Sequence, residues 1–149
     1  MKASPARAEP ADVPAAGRVL LLYCAEAGRK TLKRMADLGY TLHPEVRALE
    51  LPCAGRVDEL MLMEALEKGF SAVLVIACRR DNCRYLEGNL RAEKAVRRLR
   101  ALLTEAGIAD RFLDIVFTSP EEGRRLAEII RELSEKAEGE SDLHESKNH

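Results

Sequence analysis

Residues 72–77 read AVLVIA, an unbroken apolar run. A strand with one wet face alternates polar and apolar residues, whereas an unbroken run implies burial on both faces, as in a parallel sheet. Working outward from this strand, the same signal recurs in Arg18–Tyr23 (RVLLLY), with further strands at Val46–Leu51 and Phe112–Phe117. Between them lie amphipathic helical patterns. Gly28–Gly39 sets Leu32, Met35 and Ala36 against Arg29, Lys30, Lys33, Arg34 and Asp37, and closes on a glycine. Val57–Lys68 is a second helix. Asn89–Ala106 carries Ala92, Ala95, Val96, Leu99, Leu102, Leu103 and Ala106 at 3.6-residue spacing and stops at Gly107. In the last unit Ser119 is an N-cap, Pro120 takes the first helical position and Glu122 completes a capping box. Leu126, Ile129, Ile130, Leu133 and Ala137 then form the buried stripe.

Four strand–helix units with short connections imply a four-stranded parallel, doubly wound (Rossmann- or flavodoxin-like) α/β sheet of order 2-1-3-4 in a single domain, residues 18–138. Residues 1–17, rich in Ala and Pro and lacking the apolar core of a secretory signal, are expected to be a disordered tail, as are residues 139–149.

The chain has 149 residues, 46% hydrophobic and 33% charged, enough for one domain with a real core. A formal net charge of −1 gives no global field toward nucleic acid or an anionic membrane. Aromatics at 4%, with no Trp, argue against a base-stacking platform for single strands. The longest apolar runs are too short to span a bilayer. No nucleic-acid or membrane partner is expected, and the expected location is cytoplasmic.

Four cysteines remain to be explained. Cytosolic thiols stay reduced, so structural disulfides are not expected, and buried filler is the plain alternative. Cys24 follows the first strand, Cys53 the second beyond Pro52, Cys78 the third, and Cys83 lies in the loop after it. The carboxyl ends of adjacent parallel strands, about 5 Å apart, form the ligand edge of an open α/β sheet, so these thiols can converge on one metal. Structural zinc usually takes its thiolates from close C-x2–4-C pairs. A [2Fe–2S] cluster suits the C-x4-C pair Cys78–Cys83 with single cysteines elsewhere.

Cys78-x5-Arg84 also has the spacing of a phosphatase or arsenate reductase nucleophile loop. The intervening RRDNC has no Gly to turn amides inward, and Asp81 would repel an anion, which disfavours that reading.

CAGRVD (Cys53–Asp58) and ACRRDNCRYLEGN (Ala77–Asn89) resemble the delta subunit of methyl-viologen-reducing hydrogenase, with CSGRVD and GC-x4-C-x-Y-x-x-GN in the corresponding places; CAEAG (Cys24–Gly28) is similar to a third segment. The resemblance runs from about Val19 to Ala137. It implies a [2Fe–2S] cluster held by Cys24, Cys53, Cys78 and Cys83, with zinc as the alternative metal. It also implies an electron-carrying rather than catalytic role between a hydrogenase or formate dehydrogenase and a heterodisulfide reductase A-type flavoprotein. The family's C-x-x-C at the end of strand one is here Leu21-Leu22-Tyr23-Cys24, so its first cysteine is missing.

Among the neighbours, Arg56, Arg79, Arg80, Arg84 and Arg91 would offset a cluster's negative charge or dock an acidic or flavin-phosphate surface. Tyr85 is expected to pack beneath the loop, the alternative being a hydrogen bond near a cluster sulfur; Gly55 and Gly88-Asn89 are expected to supply turn geometry, and Asp58 to cap the second helix. His43, His144 and His149 are read as solvent residues. No Ser–His–Asp pattern, Gly-rich phosphate fingerprint or acid/base pair stands out.

Overall fold

The computed structural model describes residues 18–79, 87–108 and 111–147, with side chains to Ala137. The expected architecture is present. Strands β1 (Val19–Cys24), β2 (Val46–Leu51), β3 (Ala72–Cys78) and β4 (Phe112–Thr118) form one parallel sheet of order β2-β1-β3-β4. Helices α1 (Ala27–Asp37), α2 (Glu59–Glu67), α3 (Gly88–Glu105) and α4 (Gly123–Lys147) cover it.

The continuous apolar runs mark the central strands, as two-sided burial requires. From β1, Leu20, Leu22 and Cys24 enter one core layer beneath α2 and α3; Val19 and Leu21 enter the other, beneath α1 and α4. β3 divides likewise, with Val73, Val75 and Ala77 opposite Ala72, Leu74 and Ile76. Phe70, Leu22 and Leu62 are fully buried, and each contributes about 1.5–3 kcal/mol by removal from water. β2 is an edge strand. Its Ala48 and Glu50 face solvent, and Glu50 accepts a two-pronged contact from Arg29 of α1 at 2.7 and 3.0 Å.

The helix ends follow local chemistry. Gly39 and Gly107 adopt φ of 92° and 74° just beyond α1 and α3, a conformation in which a Cβ is penalised. Asp58 caps α2 as expected, accepting from the Met61 amide at 2.8 Å. A single 3-10 turn, Ala54–Arg56, precedes it.

Two expectations change. Pro120 does not open the last helix, which begins at Gly123. Ser119 and Glu122 instead lock the preceding turn: the Ser119 amide and hydroxyl both donate to Glu122 Oε1, at 3.0 and 2.8 Å. Second, α4 continues to Lys147 through a polar stretch read as a tail from residue 139. Extending a formed helix costs far less than nucleating one, so a stretch with no apolar stripe can ride on the packed turns before it.

α1 and α4 pack closely where α4 starts. A Cβ built on Gly123 would lie 2.8 Å from the Met35 amide nitrogen and 3.1 Å from the Arg34 carbonyl carbon, both backbone atoms. Gly123→Ala is therefore expected to destabilise the chain by about 1–3 kcal/mol through overpacking. That outweighs the helical preference of Ala, at most roughly 1 kcal/mol. A urea midpoint at or above that of the parent chain would contradict this contact.

Candidate functional site

The carboxyl edge of the sheet collects the chemistry. Cys24 and Cys78 are the terminal residues of β1 and β3, inside the strands rather than just beyond them. Both are nearly inaccessible, at 2% and 6% exposure. Adjacent parallel pairing brings Cys24 Sγ to 3.5 Å from Cys78 Sγ. The Gly28 amide, in the first turn of α1, donates to Cys24 Sγ at 3.1 Å. The missing Cβ eases this approach of α1, because a Cβ there would stand a tight 3.0 Å from Tyr23 Cβ and 3.3 Å from the Ile76 carbonyl oxygen.

Cys53 lies on the neighbouring turn. Cys24 pairs in register with Leu51, and the Ala25 amide donates to the Leu51 carbonyl at 2.8 Å, which brings the chain after β2 to the same edge. Cys53 caps the 3-10 turn, its Sγ accepting from the Gly55 amide at 3.3 Å. It is half-buried and opens on a cleft of about 530 Å³ lined by Pro52, Gly55, Arg56, Glu87, Gly88 and Arg91. Backbone meets backbone here: a Cβ on Gly55 would come within 2.9 Å of Gly88 Cα. A groove of similar size between the end of α1 and α4, beside Tyr40, Leu42 and Ile130, holds no thiol.

Cys83, Arg80, Arg84 and Tyr85 lie outside the described residues. Among the described residues, no group of three or more His, Cys, Asp or Glu side chains is gathered tightly enough to hold a metal ion. Two of the expected ligands are thus in contact, and the third stands one turn away.

The donor chemistry of the Cys24–Cys78 pair suits a thiolate-bound metal, zinc and an iron–sulfur group alike. Two thiolates on one tetrahedral ion with ligands at about 2.3 Å sit about 3.8 Å apart, close to the 3.5 Å observed. Amide donors to sulfur, present at Cys24 and Cys53, are the contacts that stabilise thiolate and tune such centres. Burial pushes the Cys24 thiol from 9.0 up to about 12, against the lowering effect of the Gly28 amide and with a further raising effect from Cys78. A buried thiol in contact with another thiol is the reverse of the exposed, electropositive setting of a nucleophilic cysteine, which disfavours the phosphatase reading of Cys78.

Two supports were not legible as such in the sequence. Asn89 reads there as turn geometry; it is in fact fully buried, with Nδ2 donating to the Cys78 carbonyl at 3.2 Å and, among the described residues, no partner for Oδ1. Glu122 reads as a helix cap; it also binds Arg79, the residue after Cys78, at 3.0 Å from Nε. Burial would raise the Glu122 pKa, but hydrogen bonds from Ser119 and Arg79 outweigh it and hold the carboxyl below its ordinary value. An amide beginning a helix just past a cysteine loop was the available signal for Asn89. Nothing local marks the Arg79–Glu122 contact, which spans 43 positions.

The fold and site together define a doubly wound α/β domain with thiols gathered on its ligand edge. The family model described as methyl-viologen-reducing hydrogenase, delta subunit, matches residues 19–139, and the chain belongs to that family. It is 37% identical over 97 residues to the D-type iron–sulfur subunit of the F420-non-reducing hydrogenase of Archaeoglobus profundus, covering 65% of this chain and 71% of that one. It is 36% identical over 121 residues to the D-type iron–sulfur subunit of the vhu F420-non-reducing hydrogenase of Methanocaldococcus jannaschii, covering 80% and 90%. A segment of the A-type subunit of the ferredoxin:CoB-CoM heterodisulfide reductase of Methanosarcina mazei is 33% identical over 94 residues, 60% of this chain but 12% of that one.

In metal-free protein at neutral pH, iodoacetamide is expected to modify half-buried Cys53 well before Cys24 or Cys78, as read by peptide mass spectrometry. The Cys24 value in the folded chain is raised above 9.0, so its stabilising contribution is intact below about pH 9 and is lost as pH climbs from there toward 12. Alkaline unfolding of the metal-free chain should include a loss in that window that Cys24→Ala lessens. Equal labelling of all three thiols would contradict the burial pattern.

Proposed function

We propose that this chain is an electron-transfer subunit of a larger oxidoreductase complex, carrying a [2Fe–2S] cluster on Cys24, Cys53, Cys78 and Cys83. The observation that carries the reading is the Cys24–Cys78 sulfur contact at the ligand edge, with an amide donor to Cys24 and a second amide–sulfur contact at Cys53. When bound, the cluster supplies one-electron exchange. The chain's own residues do the rest: Gly28 and Gly55 direct amides at sulfur, Asn89 holds the Cys78 carbonyl, and Arg79–Glu122 ties the start of the cysteine loop to the turn before α4.

The partners follow from the relatives. Two are named as hydrogenase iron–sulfur subunits, so a hydrogenase is the proposed donor; formate dehydrogenase rests on the resemblance alone. A unit similar to this chain lies inside the A-type subunit of a heterodisulfide reductase, and a unit fused to a partner in one organism is a reasonable separate companion of it in another. A heterodisulfide reductase A-type flavoprotein is therefore the proposed acceptor.

A zinc-binding or metal-free adaptor in the same complex is the second reading. It draws on the position of Cys53, one turn away from the Cys24–Cys78 pair, and on the missing first cysteine of strand one.

Anaerobic purification separates the two. A brown protein with visible absorption and about two irons per chain supports the cluster. Colourless protein with one zinc, or none, overturns it in favour of the adaptor. Ser at any of Cys24, Cys53, Cys78 or Cys83 is expected to lower iron content severalfold, with Cys53→Ser as damaging as Cys78→Ser. Full iron retention in Cys24→Ser would remove Cys24 from the ligand set.

A further inference from the structure

We infer that the cleft beside Cys53 is a docking surface for an acidic segment of a partner protein, gripped by Arg56 and Arg91. Arg56 ends the 3-10 turn and Arg91 lies in the first turn of α3; both are exposed and face the same cleft. Among the described residues neither guanidinium has an ion pair or hydrogen bond. The contrast is with Arg29, Arg79, Arg98 and Arg100, each of which holds a carboxylate. Among the described residues that line the cleft the acid is Glu87, so two guanidiniums stand against one carboxylate. α3 also begins here without a side-chain cap, which adds to the positive potential.

The local backbone decides what kind of anion fits. A free phosphate is normally cradled by amides turned into a nest. Here the amides of the 3-10 turn are already used: Gly55 donates to Cys53 Sγ, Arg56 to the Cys53 carbonyl and Val57 to the Ala54 carbonyl. The 3-10 turn therefore offers no nest, and recognition falls to two exposed, planar guanidiniums, whose paired donors match carboxylates and which act on association from the rim of an interface, with the start of α3 adding only its positive end. The occupant is a carboxylate-bearing protein segment.

Position gives the surface its use. Of the three described thiols, Cys24 and Cys78 are buried while Cys53 opens on this cleft. A partner seated on Arg56 and Arg91 lies against half-buried Cys53, which lines the same cleft. Only this last step, the exchange of electrons with the docked partner, rests on the proposed function; the docking does not.

The test uses the cluster-free full chain, so that it stands whatever metal the protein binds. Iodoacetamide labelling of Cys53 is followed by peptide mass spectrometry with and without poly-L-glutamate at low ionic strength. Protection on the order of threefold or more is expected, relieved by about 0.3 M salt and absent with poly-L-lysine. Arg56→Glu/Arg91→Glu should abolish it, Arg56→Gln/Arg91→Gln should weaken it, and Arg124→Glu/Arg131→Glu, on α4, should leave it intact. Circular dichroism checks that each variant is folded. No protection at low salt, protection unchanged by charge reversal, or equal protection by inorganic phosphate at matched charge overturns the inference. Co-purification with a heterodisulfide reductase A-type flavoprotein is scored separately: its failure alongside poly-L-glutamate protection refutes that partner and leaves the acidic docking surface standing.

Discussion

The hydrogen-bonded pairing of β1 with β3, neighbours in space though 53 positions apart where Tyr23 meets Ile76, is the constraint on which the site depends. Parallel strands need a crossover between them, and here the chain supplies β2 and α2 on the way. The pairing brings both strands to one carboxyl edge, and because each ends in cysteine, two sulfurs meet in a dry layer. Burying two thiols costs little while they stay neutral, since a thiol behaves as a small hydrophobe. The same burial makes thiolate costly, so a cation arriving at this spot would change its electrostatics more than anything else in the molecule.

Around that pair the protein uses backbone rather than side chains. Gly28 and Gly55 each direct an amide at sulfur, and the missing Cβ of Gly55 lets the 3-10 turn lie directly on Gly88 at the start of α3. Asn89 contributes a buried amide whose donor holds the Cys78 carbonyl.

Membership of the hydrogenase delta subunit family and the geometry of the edge bear on different questions. The family makes a redox complex the natural setting. The geometry says which of the three described cysteines is least buried and which described charges line the cleft beside it. Among the described residues no helix is long and apolar enough to cross a membrane. The surface features that bear on association are the thiol-bearing cleft and the arginines beside it.

By itself the sequence determined the class, the strand order and the edge on which the thiols lie. These follow from short-range patterns: unbroken apolar runs mark AVLVIA and VLLLY as central strands, and the position of each cysteine after its run names the edge. The Asp58 cap was equally local, needing only a carboxylate three residues before an amide. Tertiary structure decided the rest. It put Cys24 and Cys78 in contact while leaving Cys53 on a separate turn, and gave Glu122 to Arg79. Each of these turns on distances between segments remote in sequence, set by how two helices and a turn pack on the sheet, and no local pattern of residues encodes a packing distance.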